Sequence, residues 1–307
     1  MNIVLIVFRQ ILMMFIMMSI GAFCYKIKFI SRDGSKTLSD VALFIVLPCV
    51  VFTSFQIQYD RKILYDILIS FSLAFAAHLI AMGVAYLLVK NRNEEHKIIE
   101  RFHVIYPNCG FMGVPIAQAM FGDKGVIYIT AFMCAQNFLI WSHGVSSMQG
   151  DFKKESLLSI LKAPVIIALI IGILCFVFGI ILPPVVVDSL KAVGNMNTPL
   201  AMIVSGTAIA QTNIIKALAK PRIYWMLFLR LLAVPVITVY FLSIVSVSET
   251  IRLITVLGIS APTAAISTMF AVKYQKDVGY AAELFAISTL CAIITMPLMI
   301  SLAKLLF

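Results

Sequence analysis

The chain has 307 residues, 62% of them apolar and only 12% charged, with a mean hydropathy of +1.03. Globular domains carry about 45–50% apolar and about 25% charged residues, so the composition excludes an ordinary water-soluble domain and leaves an all-α polytopic membrane protein. The net charge of +10 falls in short loops without the aromatic and basic interleaving of a nucleic-acid surface. The bilayer, and no nucleic acid, is therefore the expected surrounding.

A membrane-spanning helix needs about 20 mostly apolar residues. Ten segments meet that length: 3–23, 37–56, 64–89, 98–120, 123–146, 160–182, 191–211, 222–246, 250–271 and 279–303. No basic stretch precedes the apolar core of the first segment, so it reads as an uncleaved first helix rather than a signal peptide. The six cysteines, Cys24, Cys49, Cys109, Cys134, Cys175 and Cys291, stand singly among apolar residues. Their spacing suits packing and not zinc.

Basic residues set the expected sidedness. With the N-terminus outside, the cytoplasmic loops hold sixteen Lys and Arg, in clusters such as Lys26, Lys28, Arg32, Lys36 and Lys90, Arg92, Lys97, Arg101, while the external loops hold six. Both termini are thus expected on the outer face of a bacterial plasma membrane. Ten spans divide into five-helix halves, 1–150 and 151–307, and an odd number of crossings gives the halves opposite orientation. Pro48 and Ser54 recur as Pro199 and Ser205 at an offset of 151, and Pro115 recurs as Pro262 at 147. Inverted repeats of this kind place a transporter's site at the repeat interface near the bilayer midplane.

The stretch Tyr106-Pro107-Asn108-Cys109-Gly110-Phe111-Met112-Gly113-Val114-Pro115 combines two prolines with two glycines. Both weaken a helix, so the fourth span is expected to break near its middle. Gly258-Ile259-Ser260-Ala261-Pro262-Thr263 offers the matching break in the ninth span. Two breaks that cross would bring half-helix N-termini, and with them partial positive charge, to one point. A kink used only for packing is the competing reading.

These residues resemble a known family. The Leu47-Pro48 of the second span, Asn108 to Pro115 of the fourth, Asn197-Thr198-Pro199 of the seventh and Ala261-Pro262-Thr263-Ala264 of the ninth look like the auxin efflux carrier family. That resemblance implies ten helices as two inverted repeats, with helices 1, 2, 6 and 7 as a scaffold and helices 3–5 and 8–10 as a transport domain. It also implies helices 4 and 9 crossing at Pro115 and Pro262, with substrate beside them. The long cytoplasmic loop of the plant exporters is absent; Gln149 to Lys162 is a short connector.

The expected activity is secondary transport of a small organic anion, a mono- or dicarboxylate, by alternating access, with a channel or ligand sensor as the alternative. The expected substrate-binding residues are Asn108, Gly110, Gly113, Pro115, Ser260, Pro262, Thr263 and Arg230. Asn108 suits a carboxylate through its NH2, and equally suits capping the broken helix with its own side chain. Arg230 lies too deep for simple snorkelling and stands as a candidate for the substrate or water path. His78 and Glu283 are the coupling candidates, with H+ or Na+ as the ion. A homodimer is the expected assembly. Among the charged and nucleophilic residues no catalytic set, phosphate loop, cofactor motif or metal cluster is legible, so no enzyme activity is expected.

Overall fold

The computed structural model describes residues 3–149 and 164–307, and among them every regular element is helical. Residues 150–163, which hold most of the short connector, the boundary between the expected halves and the start of the sixth segment, lie outside the described residues. A helix satisfies all its backbone polar groups within one segment, which suits long apolar runs in a bilayer. In chain order the helices are α1 (Ile3–Lys26), α2 (Arg32–Ser54), α3 (Arg61–Leu88), α4 (Glu94–Ile105) and α5 (Cys109–Met148). They continue as α6 (Pro164–Val177), α7 (Pro184–Gly194), α8 (Asn197–Ala210), α9 (Ile214–Leu218) and α10 (Pro221–Ser243). α11 (Glu249–Ser260), α12 (Ile266–Lys273) and α13 (Val278–Leu306) complete the chain.

Six of these, α1, α2, α3, α5, α10 and α13, contain stretches long and apolar enough to cross a membrane. Polar side chains start several of the helices. Ser31, Asp60, Asn93 and Asp277 each accept a backbone N–H from the first turn of α2, α3, α4 and α13, which satisfies donors that a helix start leaves free. The seventh segment, expected as one helix over 191–211, is divided between α7 and α8, and a Cβ on Gly194 at the junction would lie 3.2 Å from Val50.

α5 is a hairpin of two antiparallel legs. Gly122 takes φ +60° and ψ −144°, a conformation open to glycine, and the chain reverses there. A Cβ on Gly125 would lie 2.2 Å from the Ala117 carbonyl oxygen, and one on Gly113 would meet Ile129 at 3.4 Å. The legs therefore run side by side back to the start of α5.

Three prolines inside the long helices share one device, and Pro297 of α13 does without it. Wide π turns at Ala42–Val46, Cys109–Gly113 and Leu229–Ala233 each end two residues before a proline, Pro48, Pro115 and Pro235. A proline removes a backbone donor, and the wider turn shifts the pairing so that the helix continues past it. Pro115 is thus a buried residue of a continuing helix and not the place where the fourth segment breaks.

Two packing groups organise these helices. α1 and α8 approach closely: a Cβ on Gly206 would lie 1.9 Å from the Met18 carbonyl oxygen, and one on Gly21 would lie 2.2 Å from that of Ile203. Small residues permit such backbone contact between helices in lipid. α2 joins them through a Ser35 to Thr207 hydroxyl bond of 2.5 Å and also carries α6 and α7. α3, α4, α5 and α10 to α13 pack on one another, and α8 meets both α13 and the start of α5.

Candidate functional site: the crossing of two broken helices

α4 stops because of Pro107. A residue before proline is driven out of the helical region, and Tyr106 is extended at φ −105°, ψ 110°. α11 stops the same way: Ala261, before Pro262, takes φ −61°, ψ 151°. The two extended stretches lie antiparallel, with Pro107 bridged to Thr263. Asn108 N–H donates to the Pro262 carbonyl at 2.6 Å, and Ala264 N–H donates to that of Tyr106 at 2.9 Å. Each break satisfies the backbone groups that the other exposes, as a bilayer interior requires. The crossing therefore pairs Pro107 with Pro262, where the sequence reading placed it at Pro115 and Pro262. The reason is local: Pro115 has a π turn before it to absorb its missing donor, and Pro107 has none.

Arg230 secures the crossing from α10. It is fully buried, and its guanidinium donates from Nη1 to the Val104 carbonyl at 2.8 Å, from Nη2 to Ile259 at 2.6 Å and Ala261 at 2.8 Å, and from Nε to Ala261 at 3.1 Å. These carbonyls end α4 and α11, where helix dipoles are negative. Among the described residues Arg230 forms no ion pair with a carboxylate.

Gln136, on the second leg of α5, donates from Nε2 to the Pro107 carbonyl at 2.9 Å and accepts from the Cys109 thiol at 3.1 Å. It is the interhelical bond expected of a buried amide, here made to the break itself. Thr263 Oγ1 bonds His103 Nδ1, and its N–H reaches Ser288 Oγ at 3.3 Å. Tyr106 donates to the Leu139 carbonyl at 3.0 Å and meets His143 Nδ1 at 2.8 Å, while His143 Nε2 meets Tyr86 at 2.8 Å.

Of the residues expected to bind substrate, Asn108, Ser260, Pro262, Thr263 and Arg230 come together at this crossing. Asn108 is buried and caps nothing with its side chain, and among the described residues its Nδ2 has no partner; Ser260 Oγ is also buried without one there. Gly110, the second residue of α5, lies beneath Leu47 of α2 and Met133. Gly113 and Pro115 lie further along the leg, with Gly113 against Cys109 and Ile129. His78 on α3 is fully buried, bonded through Nδ1 to the Ala74 carbonyl at 2.7 Å, with its ring 6.3 Å from that of Tyr106 and Nε2 without a partner among the described residues. Glu283 is elsewhere, near the start of α13, paired with Lys220 at 2.6 Å.

Sequence reasoning missed His103 and Ser288. His103 falls within the 98–120 segment, and the rule that singled out Arg230, an ionisable residue inside a span, would have found it. Ser288 carries no such signal, because a serine within an apolar helix is ordinary.

Broken helices that cross inside a largely apolar bundle, here with a buried arginine at the crossing, are typical of membrane transporters. The membrane transport protein family model matches residues 6–157 and 148–300, and the chain belongs to that family, the auxin efflux carrier family its motifs resemble. It is 22% identical over 301 residues to an uncharacterized transporter of Methanocaldococcus jannaschii, covering 94% of this chain and 96% of the relative. It is 20% identical over 295 residues to an uncharacterized transporter of Methanothermobacter thermautotrophicus, with 94% and 96% covered.

Proposed function

We propose that this transporter is a secondary carrier of a small organic anion, a mono- or dicarboxylate, and that the anion binds at the crossing of Pro107 and Pro262. One observation carries the reading: Arg230 holds a full positive charge at the crossing against carbonyl dipoles alone, with no carboxylate to neutralise it among the described residues. In a low-dielectric interior an uncompensated charge is costly, and a bound anion would supply the counter-charge. The starts of α5 and α12 add half-helix N-termini of the same sign. The unpartnered Nδ2 of Asn108 is the donor that would meet a carboxylate oxygen directly.

In this reading the ten segments form two inverted five-helix repeats. The group around α1, α2 and α8 is the scaffold, and the group holding the crossing moves against it in alternating access. Gly110 beneath Leu47 lies on the sliding surface between them. Both termini face outward from a bacterial plasma membrane, H+ or Na+ is the coupling ion with His78 as the proton candidate, and a homodimer is the assembly. A thermal-shift screen of mono- and dicarboxylates on the purified protein tests the site. A stabilising acid should lose most of its effect in Asn108→Ala. Equal stabilisation of both proteins would remove Asn108 from the site, and no response to any carboxylate would count against an organic anion.

A further inference from the structure

A second concentration of positive charge lies away from the crossing, where the loop after α3 meets the starts of α10 and α13. It lines a pocket of about 620 Å³, within the roughly 300–1,000 Å³ range of small-ligand sites. Lys90, Arg92, Lys220 and Arg222 form its charged wall beside His96 and Tyr280, and among the described residues no carboxylate lines it. Three acids contact side chains of this wall, while Glu94 pairs with Lys97 beside it at 2.6 Å. Fully buried Glu100 accepts from Arg222 Nε at 2.8 Å and Nη2 at 2.5 Å, from Tyr280 at 2.8 Å and from Asn91 at 2.9 Å. Glu283 pairs with Lys220, and Asp277 pairs with His96 at 3.1 Å.

The arrangement leaves cationic surface facing the pocket in excess. Lys90 and Arg92 form no ion pair among the described residues. The same 90–92 segment also lines an adjoining pocket of about 380 Å³ with Lys97 and Arg101. Glu100 holds Arg222 rigidly in place, so part of the wall is preorganised. α10 starts at the pocket with no side-chain cap and no acidic residue in its first turn, which adds a dipole of the same sign.

The surroundings are those of a membrane boundary. Leu87 and Leu88 precede the basic segment, Leu218 precedes Lys220, and Tyr224 and Trp225 follow Arg222; all five are exposed. Tyrosine and tryptophan mark headgroup depth, and basic pockets between helices on the Lys/Arg-rich side suit anionic headgroups. We propose that this pocket binds the phosphate headgroup of an anionic phospholipid, with Lys90 and Arg92 meeting the phosphate and the exposed apolar residues beside it meeting the acyl chains.

The test uses the purified full chain reconstituted with phosphatidylglycerol and phosphatidylcholine, with native mass spectrometry reading the lipid that stays bound. Lys90→Gln/Arg92→Gln removes no ion pair and should fold, which a single symmetric peak in size-exclusion chromatography checks. It should lower phosphatidylglycerol retention on the order of tenfold relative to the unmodified chain. Lys26→Gln/Lys28→Gln, two exposed cations at the end of α1 and just beyond it, should leave retention unchanged. Equal retention by the Lys90/Arg92 variant overturns the site, and an equal loss in both variants overturns it in favour of diffuse charge attraction. Glycerol phosphate and inorganic phosphate form the soluble arm: stabilisation by them in detergent as large as that by phosphatidylglycerol overturns the lipid assignment in favour of a free phosphate ligand.

Discussion

Arg230 reaches 126 residues back along the chain to hold the Val104 carbonyl at 2.8 Å. The same guanidinium holds Ile259 and Ala261, so one side chain ties the ends of α4 and α11. A single buried cation thus fixes the geometry of the crossing and sets the sign of its field.

Replacing Arg230 should therefore cost stability as well as transport. Arg230→Gln leaves buried carbonyls without a charged donor, and the loss should be about 2–4 kcal/mol. Arg230→Lys keeps the charge but not the planar fork, and should fall between. Thermal unfolding of the detergent-purified variants measures this. An unchanged melting temperature with transport abolished would make Arg230 a substrate contact and not a clamp.

Gln136 and Asn137 are adjacent in sequence and differ in what they touch. Gln136→Leu removes the donor to Pro107 and the acceptor for Cys109, so carboxylate uptake into proteoliposomes should fall strongly with the protein still inserted. Asn137→Ala should leave uptake near normal. Equal uptake by the two variants would mean that the break does not depend on its amide strut.

The glycines sort by how closely backbone approaches them. Gly206→Ala would place a Cβ 1.9 Å from the Met18 carbonyl oxygen, and α1 would have to separate from α8. Gly113→Ala meets only side-chain carbons at 3.4 Å and beyond. The first should lose most of its monodisperse yield and the second should retain it; a normal yield of Gly206→Ala would show that the α1–α8 contact is looser than described.

The charge bias of the loops predicts their sidedness. In a cysteine-free background, Glu94→Cys should be protected from an impermeant thiol reagent in intact cells, and Asp188→Cys, on exposed α7, should react. Reversed labelling would invert the orientation.

Much of this architecture is legible in residue order. Apolar length marks α1, α2, α3, α10 and α13, and the glycine at 122 separates the two legs of α5 where the segments 98–120 and 123–146 leave a gap. Pro107 and Pro262 announce their breaks through the residues before them. The choice between Pro107 and Pro115 is not legible, because it turns on a π turn that no local pattern marks: Cys109–Gly113 widens to absorb Pro115. The partners of Arg230 are equally hidden, since backbone carbonyls carry no sequence signature. An arginine that lines a path and one that clamps two helix ends look identical in one dimension.

Counterflow in proteoliposomes separates a carrier that binds its anion at the crossing from a channel. The labelled carboxylate that stabilises the protein best is loaded inside, and the same acid without label is added outside. A carrier whose anion binds at the crossing should show saturable efflux accelerated by the external anion. Asn108→Ala should then require on the order of tenfold more anion for the same acceleration, as loss of one charged hydrogen bond predicts. Flux that neither saturates nor responds to external anion would mean a channel, and flux unchanged in Asn108→Ala would move the anion away from the crossing.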